Sequence, residues 1–404
     1  MNFRIVFLSL CVVCFFYGCQ QQPISNDREW VFGDSGSGQP HFSRLDNDQI
    51  ILNWMQPNEE SMELMFSIIN PDLSWTEPLP IARGDDWFVN WADFPAVVQV
   101  ADEALVSHWL VYQEDFSGYD IMLSISNDLG ETWSNPQLLN SDGLPAEHGF
   151  VETFPELNGF GMVWLDGRDY VADQFDDEIA GTMLRYASFS PTGERIDEVI
   201  LDQLVCDCCQ PDVAQANGMT YIVYRDRTID EIRDITMLVH SKDEGWKESV
   251  SLPADRWEIN GCPVNGPALA ANAEGIGVIW FSARDQEPQV QFAFKAHNTD
   301  LFLSRTVLED FVPWGYVDIV FDELHDQFIL SWLRDSENGL QLVTRSVDKF
   351  GTLKNEVIIF ESQISYPLDF PKIEIVGNYL LASWTDFTDG MKLKVKGVEL
   401  TKFN

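Results

Sequence analysis

The stretch GMVWLDGRD (Gly161–Asp169) is a run of strand formers that reaches a tryptophan and then breaks into glycine and charged residues. The same plan recurs in IILNWMQ (Ile50–Gln56), LVSHWLVYQ (Leu105–Gln113), YIVYRDR (Tyr221–Arg227), GVIWFSARD (Gly277–Asp285), ILSWLRD (Ile329–Asp335) and LLASWTD (Leu380–Asp386). The anchoring aromatics are Trp54, Trp109, Trp164, Tyr224, Trp280, Trp332 and Trp384, about 52–60 residues apart. That period is near the length of a repeat that folds as one four-stranded unit. Pro40, Pro95, Pro155, Pro211, Pro267 and Pro371 each precede an anchor by about 9–14 residues. Proline suits the first residue of a strand, where the missing N–H costs little. The sixth unit has PWGYVDIVF (Pro313–Phe321) instead. A third strand follows each anchor, as in DIMLSIS (Asp120–Ser126) and LKVKGVEL (Leu393–Leu400).

One unit adds SNDLGETW, with Ser126, Asp128, Gly130, Thr132 and Trp133 in fixed register. Weaker copies stand at Ser241, Asp243, Gly245 and Trp246 and at Ser346, Asp348, Gly351 and Thr352, with a faint echo at Trp75 and Thr76. The motif is a local device. The Asp accepts turn N–H groups, the Gly supplies a positive φ, and the Trp packs under the hairpin. It resembles the Asp-box, or BNR repeat, of the sialidase-like propeller superfamily. The sequence therefore predicts an all-β chain, a β-propeller of four-stranded blades. Seven units predict seven blades, with the six of the sialidases as the alternative. The last unit supplies three strands, and REWVFG (Arg28–Gly33) is expected to close the ring as its fourth. Residues 30–404 form one propeller domain in this reading.

The formal net charge of −40 argues against nucleic acid as a partner, because phosphate contacts need Lys and Arg in excess. It also disfavours an anionic membrane surface. The N-terminus, MNFRIVFLSLCVVCFFYGCQQQ, has Arg4 before an apolar run from Ile5 to Tyr17, too short for an ordinary transmembrane helix. Residues 1–18 read as a signal peptide. Gly18–Cys19 resembles a bacterial lipobox, so Cys19 is the expected lipidation site and 19–29 a tether. Gln20 after the Cys points to the outer membrane in a Gram-negative host, and plain secretion is the alternative. Removal of the signal leaves Cys206, Cys208, Cys209 and Cys262, and export permits disulfides.

If the Asp-box joins strands three and four of a blade, the loop after each anchor and the segment before each Pro lie on the opposite rim. That rim is the mouth of the axial channel. It collects Arg168, Arg225, Arg227, Arg233, Arg284 and Arg334. These either pair with the adjacent Asp169, Asp226, Asp234, Asp285 and Asp335, or form an anion pocket, since Arg clamps a carboxylate bidentately. Cys206 and Cys262 each lie five residues before a strand-opening Pro on neighbouring blades. A disulfide from Cys262 to Cys206, Cys208 or Cys209 is the simplest reading. A Cys₄ metal site and free or redox-active thiols are the alternatives. No cofactor or metal is expected.

The sialidase resemblance implies three Arg on a substrate carboxylate, a Tyr nucleophile activated by a Glu, and an Asp acid. On this chain it carries over to Arg225 or Arg227 and to Arg284, with Arg168 or Arg334 third, and to Asp93 as acid, Glu152 as the Tyr partner, and Tyr316 or Tyr366 as nucleophile. The F-R-I-P signature of sialidases is absent. The implied function is an anchored sialidase-like glycoside hydrolase, a monomer acting on an acidic or sialylated glycan. Another propeller glycosidase or lyase, and a non-catalytic glycan- or protein-binding propeller, are the alternatives. The terminal segment yields the first prediction. Mass spectrometry of the mature N-terminus is expected to find acylated Cys19, and an unmodified chain starting elsewhere would remove the lipoprotein reading.

Overall fold

The computed structural model describes residues 27–114, 118–170, 181–299, 301–308, 312–363, 369–388 and 390–404. Cys19 and Tyr366 lie outside the described residues. Among these, 28 strands form seven four-stranded antiparallel sheets. Each sheet is one blade. The innermost strands are Gly38–Arg44, Ala96–Ala101, His148–Glu156, Asp212–Ala216, Ala268–Ala271, Pro313–Asp322 and Lys372–Val376. Each packs beside the next, and the seventh packs beside the first. The ring therefore has seven blades, not six. The seventh is completed by Arg28–Phe32, which pairs antiparallel with Lys392–Glu399. The closing strand begins at Arg28, two residues inside the segment read as tether.

Every anchor lies on the second strand of its blade, and the pattern of burial gives the reason. Trp109 packs with Met55, Leu64 and Phe66 of the preceding blade. Trp164 packs with Val106, Ile121 and Leu123, and Trp332 with Ile279, Phe281 and Phe292. Each anchor fills the apolar layer between its own blade and the one before it. A large flat side chain recurring once per blade is what seven wedge-shaped gaps around an axis demand, because close packing leaves no room for voids.

The Asp-box sits between the third and fourth strands of the second blade, as its spacing predicts. Asp128 Oδ1 accepts from Thr132 N at 2.8 Å, and Asp128 Oδ2 accepts from the Thr132 hydroxyl at 2.5 Å. Ser126 Oγ accepts from Gly130 N at 2.8 Å. The hydrogen bonds from Thr132 hold the Asp128 carboxyl below its ordinary range. Gly130 has φ +92° and lies against the Phe66 ring of the first blade, so a Cβ there would collide with it. Trp133 meets the same ring edge-on at 6.3 Å. The weaker copy at Asp348 keeps the turn, with Thr352 N donating to Asp348 Oδ1 at 2.8 Å.

Closure depends on Arg28–Phe32. Phe32 packs on Trp54 at 5.4 Å and on Trp75 at 4.6 Å, joining the last blade to the first. Phe32→Ala is expected to lower stability by about 3 kcal/mol, the usual cost of truncating a core Phe. A urea unfolding curve is the measurement.

Candidate functional site

Strand register places one residue of each blade in a common layer around the axis. These residues are His41, Ala96, Glu152, Asp212, Ala268, Asp318 and Lys372, paired with Asn53, His108, Val163, Val223, Ile279, Ser331 and Ser383. In each pair the partner is the residue just before the anchor. Three carboxyls, a lysine and a histidine thus share one ring. The sequence reading found Glu152 but missed Asp212, Asp318, His41 and Lys372. Three of these four directly follow a Pro of the repeat, and that was the available signal.

An innermost strand has an unpaired edge, and its N–H groups need acceptors. Asp212 Oδ2 accepts Leu269 N of the next blade at 2.7 Å, and Asp318 Oδ2 accepts Ile373 N at 2.7 Å. Nearer the mouth, Asp93 Oδ2 accepts Phe150 N at 2.8 Å and Asn265 Oδ1 accepts Tyr316 N at 2.9 Å. Phe150 and Tyr316 both have φ +53° at the start of their strands. This left-handed turn aims their N–H groups at the preceding blade.

Above the ring, a cavity of about 30 Å³ is bounded by His41, Asp93, Glu152, Gln210, Phe370 and Lys372 among others. It has room for about one water. Burial raises Asp93 to about 7 against the opposing Phe150 hydrogen bond. Burial also raises Glu152, with Asp212 adding to the shift and Lys372 opposing it. Burial works against the Lys372 ammonium, but Asp318, Asp212 and Glu152 outweigh it and hold its pKa above the usual lysine value. Burial, with Lys372 and His108, drives His41 down to about 3, so its imidazole is neutral. The site therefore holds a charged lysine beside carboxyls that keep their protons toward neutral pH.

The mouth above it is aromatic. Trp91, 45% exposed, stacks on Phe370 at 6.0 Å and lies 6.3 Å from Tyr316, while Tyr316 and Phe370 are 4.4 Å apart. Tyr316 is buried, and burial pushes its phenol up to about 12. Asp93 and Tyr316 thus lie near the axial mouth, with Glu152 in the ring below. A second, wider cavity of about 490 Å³ opens on the same rim between Tyr119, Glu147, Tyr170, Asp207, Cys208 and Cys262.

The arginines do not converge on either cavity. Arg225 is buried and donates to the backbone carbonyls of Asn265, Arg233 and Phe281. Arg168 pairs with Asp166 at 2.6 Å and Asp142 at 2.9 Å. Arg227 pairs with Glu231 at 2.6 Å and donates to the Tyr170 hydroxyl at 3.2 Å. Arg233 pairs with Glu231 and Asp207, and Arg334 with Glu356. Arg284 is exposed and pairs with Asp285 at 3.1 Å. The expectation of an arginine-lined anion pocket is corrected accordingly. Most of these guanidiniums are loop and blade ties, and these partners, apart from Asp285 for Arg284, are not the adjacent Asp. Among the four cysteines, Cys208 is bonded to Cys262, with Cα atoms 6.1 Å apart. Cys206 and Cys209 are buried free thiols.

No family model matches the chain, and no curated protein matches it. Solved structures do. The polysaccharide lyase Uly1 is similar over 91% of this chain and 91% of its own, with TM-score 0.55 and 9% identity. An ulvan lyase of a polysaccharide lyase family, bound to -[GlcA(1-4)Rha3S]-, covers 92% of this chain and 96% of its own, with TM-score 0.53 and 12% identity. A protein of unknown function from Dyadobacter fermentans covers 92% and 99%, with TM-score 0.50 and 14% identity. At such identities the likeness shows a shared fold and nothing finer.

Buried carboxyls make stability depend on pH. Asp93, Asp212 and Asp369 each titrate at about 7 in the fold against an ordinary 3.8, chiefly through burial. A carboxyl raised in this way contributes stability that is full below about pH 4 and is lost as pH rises through about 7. Asp93→Asn keeps an oxygen acceptor for Phe150 N and removes the titration. Its melting temperature is expected to exceed that of the wild type by a few degrees at pH 8, with the gap closing toward pH 4 in a thermal-melt series.

Proposed function

We propose that the protein binds and processes an acidic glycan at the axial mouth. The observation that carries this reading is the Trp91–Tyr316–Phe370 platform standing over a cavity that contains Lys372, Asp93 and Glu152. An exposed Trp face stacks on the apolar face of a sugar ring. Lys372, below the platform, would attract a uronate or sialate carboxylate held above it. Carboxyls that keep their protons near neutral pH are suited to protonating a leaving oxygen, so Asp93 or Glu152 is the general acid in this reading. The whole-chain charge opposes an anionic ligand, but at physiological salt that opposition is screened beyond about 8 Å. The two polysaccharide lyases of the same fold, one of them bound to a glucuronate-containing glycan, add support for a glycan ligand. Lipidation at Cys19 belongs to the same proposal and would place the site on the bacterial cell envelope.

One observation favours a second reading, a propeller that binds glycan without turning it over. Among the described residues nothing hydrogen-bonds the Tyr316 hydroxyl, and a phenol at about 12 is a poor nucleophile without a base in reach. The test is a panel of sialylated and uronate glycans, read for both calorimetric binding and product release. Trp91→Ala is expected to weaken binding at least about fivefold, or about 1 kcal/mol. Replacing the general acid, by Asp93→Asn or by Glu152→Gln, is expected to stop turnover and spare binding. Binding without product in the wild type selects the second reading, and no binding by any member of the panel overturns both.

A further inference from the structure

The four cysteines of residues 19–404 that follow the tether meet at one point on the mouth rim, where the fourth and fifth blades adjoin. Cys208–Cys262 forms part of the wall of the wider cavity. Behind it lie Cys206 and Cys209, both buried, with their Sγ atoms 2.8 Å apart. Cys206 Sγ is also 3.9 Å from Cys208 Sγ. A buried pair of thiols thus stands directly against a more accessible disulfide.

The surroundings decide which thiol carries charge. Arg225 is buried, its hydrogen bonds go to three neutral carbonyls, and its guanidinium lies 5.0 Å from the Trp257 ring centroid. No described carboxylate pairs with it. A guanidinium cannot shed its proton, and a buried cation without a counter-ion is strongly destabilising. Arg233 Nη1 also points at Cys206 Sγ, at 3.4 Å. A Cys206 thiolate answers Arg225 and takes a further hydrogen bond from Arg233, which also pairs with Glu231 and Asp207, with the Cys209 S–H donating to it. Burial alone would raise the Cys206 thiol, but Cys209, Arg225 and Arg233 bring it down to about 6, while Cys209 is pushed up.

We propose that Cys206 is the nucleophile of an internal thiol–disulfide exchange that moves the single bond of the cluster from Cys208–Cys262 to Cys206–Cys209. In the first step the Cys206 thiolate attacks Cys208 Sγ. A Cys206–Cys208 bond forms, the Cys208–Cys262 bond breaks, and the electron pair leaves on Cys262. In the second step Cys209 gives its proton to the Cys262 thiolate and attacks Cys206 Sγ, releasing Cys208 as the new thiolate. One disulfide, one thiolate and one thiol are present before and after, so no oxidant or reductant takes part. Exchange of this kind needs a thiolate in contact with the attacked sulfur, and the cluster provides one. The result is a covalent tie between two blades that can be exchanged for a dithiol, Cys208 and Cys262, in the wall of the mouth cavity. Such a dithiol is a site for soft electrophiles.

The test uses the full chain, purified without reductant and held anaerobically in native buffer with excess N-ethylmaleimide. Acid quenching, digestion and fragment-ion mapping then locate label and bridge. The expected result is maleimide on Cys208 and Cys262 with a Cys206–Cys209 bridge, formed at a rate independent of maleimide concentration. Cys206→Ser is expected to lose this labelling completely, and the wild-type map decides alone if that variant does not fold. Label on Cys206 or Cys209 with Cys208–Cys262 intact overturns the proposal. So does a native chain that takes up no label, whether because both bridges are already formed, because stoichiometric metal holds the sulfurs, or because the thiols stay buried.

Discussion

Seven innermost strands each turn one unpaired edge toward a common axis, and the N–H groups on those edges must find acceptors without help from a neighbouring strand. Much of the interior follows from that constraint. Asp212 reaches Leu269 N, Asp318 reaches Ile373 N, Asp93 reaches Phe150 N, and Asn53 reaches Val97 N at 3.1 Å. Each tie crosses from one blade to the next, so the residues that satisfy the edges also bind the ring together. Carboxylates used in this way are taken out of water and gathered around one line, which raises their affinity for protons. Lys372 is the compensating charge. The candidate site is thus built from the same groups that satisfy the inner edges.

The architecture was legible because packing between blades repeats. Trp54, Trp109, Trp164, Trp280, Trp332 and Trp384 fill equivalent gaps, and a gap repeated seven times leaves a period in the chain. The Asp-box was legible because it is local, with the hydrogen bonds of Ser126 and Asp128 to Gly130 and Thr132 inside eight residues. The site was only half legible. Asp93 lies near the mouth, in the segment before Pro95, but Glu152 lies one layer down within the strand His148–Glu156, because Pro155 falls near the end of that strand and not at its start. The direction in which Arg225 points does not follow from strand order. It depends on three carbonyls, two of them 40 and 56 residues away, and nothing in the segment YRDR reports them. The choice of Cys208 over Cys206 and Cys209 was closed to inspection for a similar reason. Three sulfurs within four residues share one location, and only backbone turns decide which one faces Cys262. Lys372 went unseen because its meaning lies in register with six other strands.

The charge distribution has a related logic. The chain has 25 Lys and Arg against 65 Asp and Glu, and several of the few cations are interior fixtures. Arg225, Arg233 and Arg334 are all buried. Arg168 and Arg185 sit in a cluster with Asp142, Asp166 and Glu198. Buried guanidiniums with several fixed acceptors are ties of defined geometry, whereas excess surface acid costs little in water and keeps molecules apart. A chain can carry so large a net charge and still fold because its cations are placed where they organise loops.

Ring closure by Arg28–Phe32 also fixes how the molecule would stand on a surface. Arg28 pairs with Gly397 and Phe32 with Leu393, and Lys392–Glu399 runs from the mouth rim toward the Asp-box rim. The chain therefore enters the propeller at the Asp-box rim, where Lys402 pairs with Asp27 at 2.7 Å. With a lipid on Cys19, the eight residues from Gln20 to Asp27 span at most about 29 Å when fully extended. If Cys19 is lipidated as proposed, such a tether would join the propeller on the face opposite the mouth. An anchored molecule would lie with its back to the bilayer and its aromatic opening turned outward, toward whatever polymer approaches from the surrounding medium.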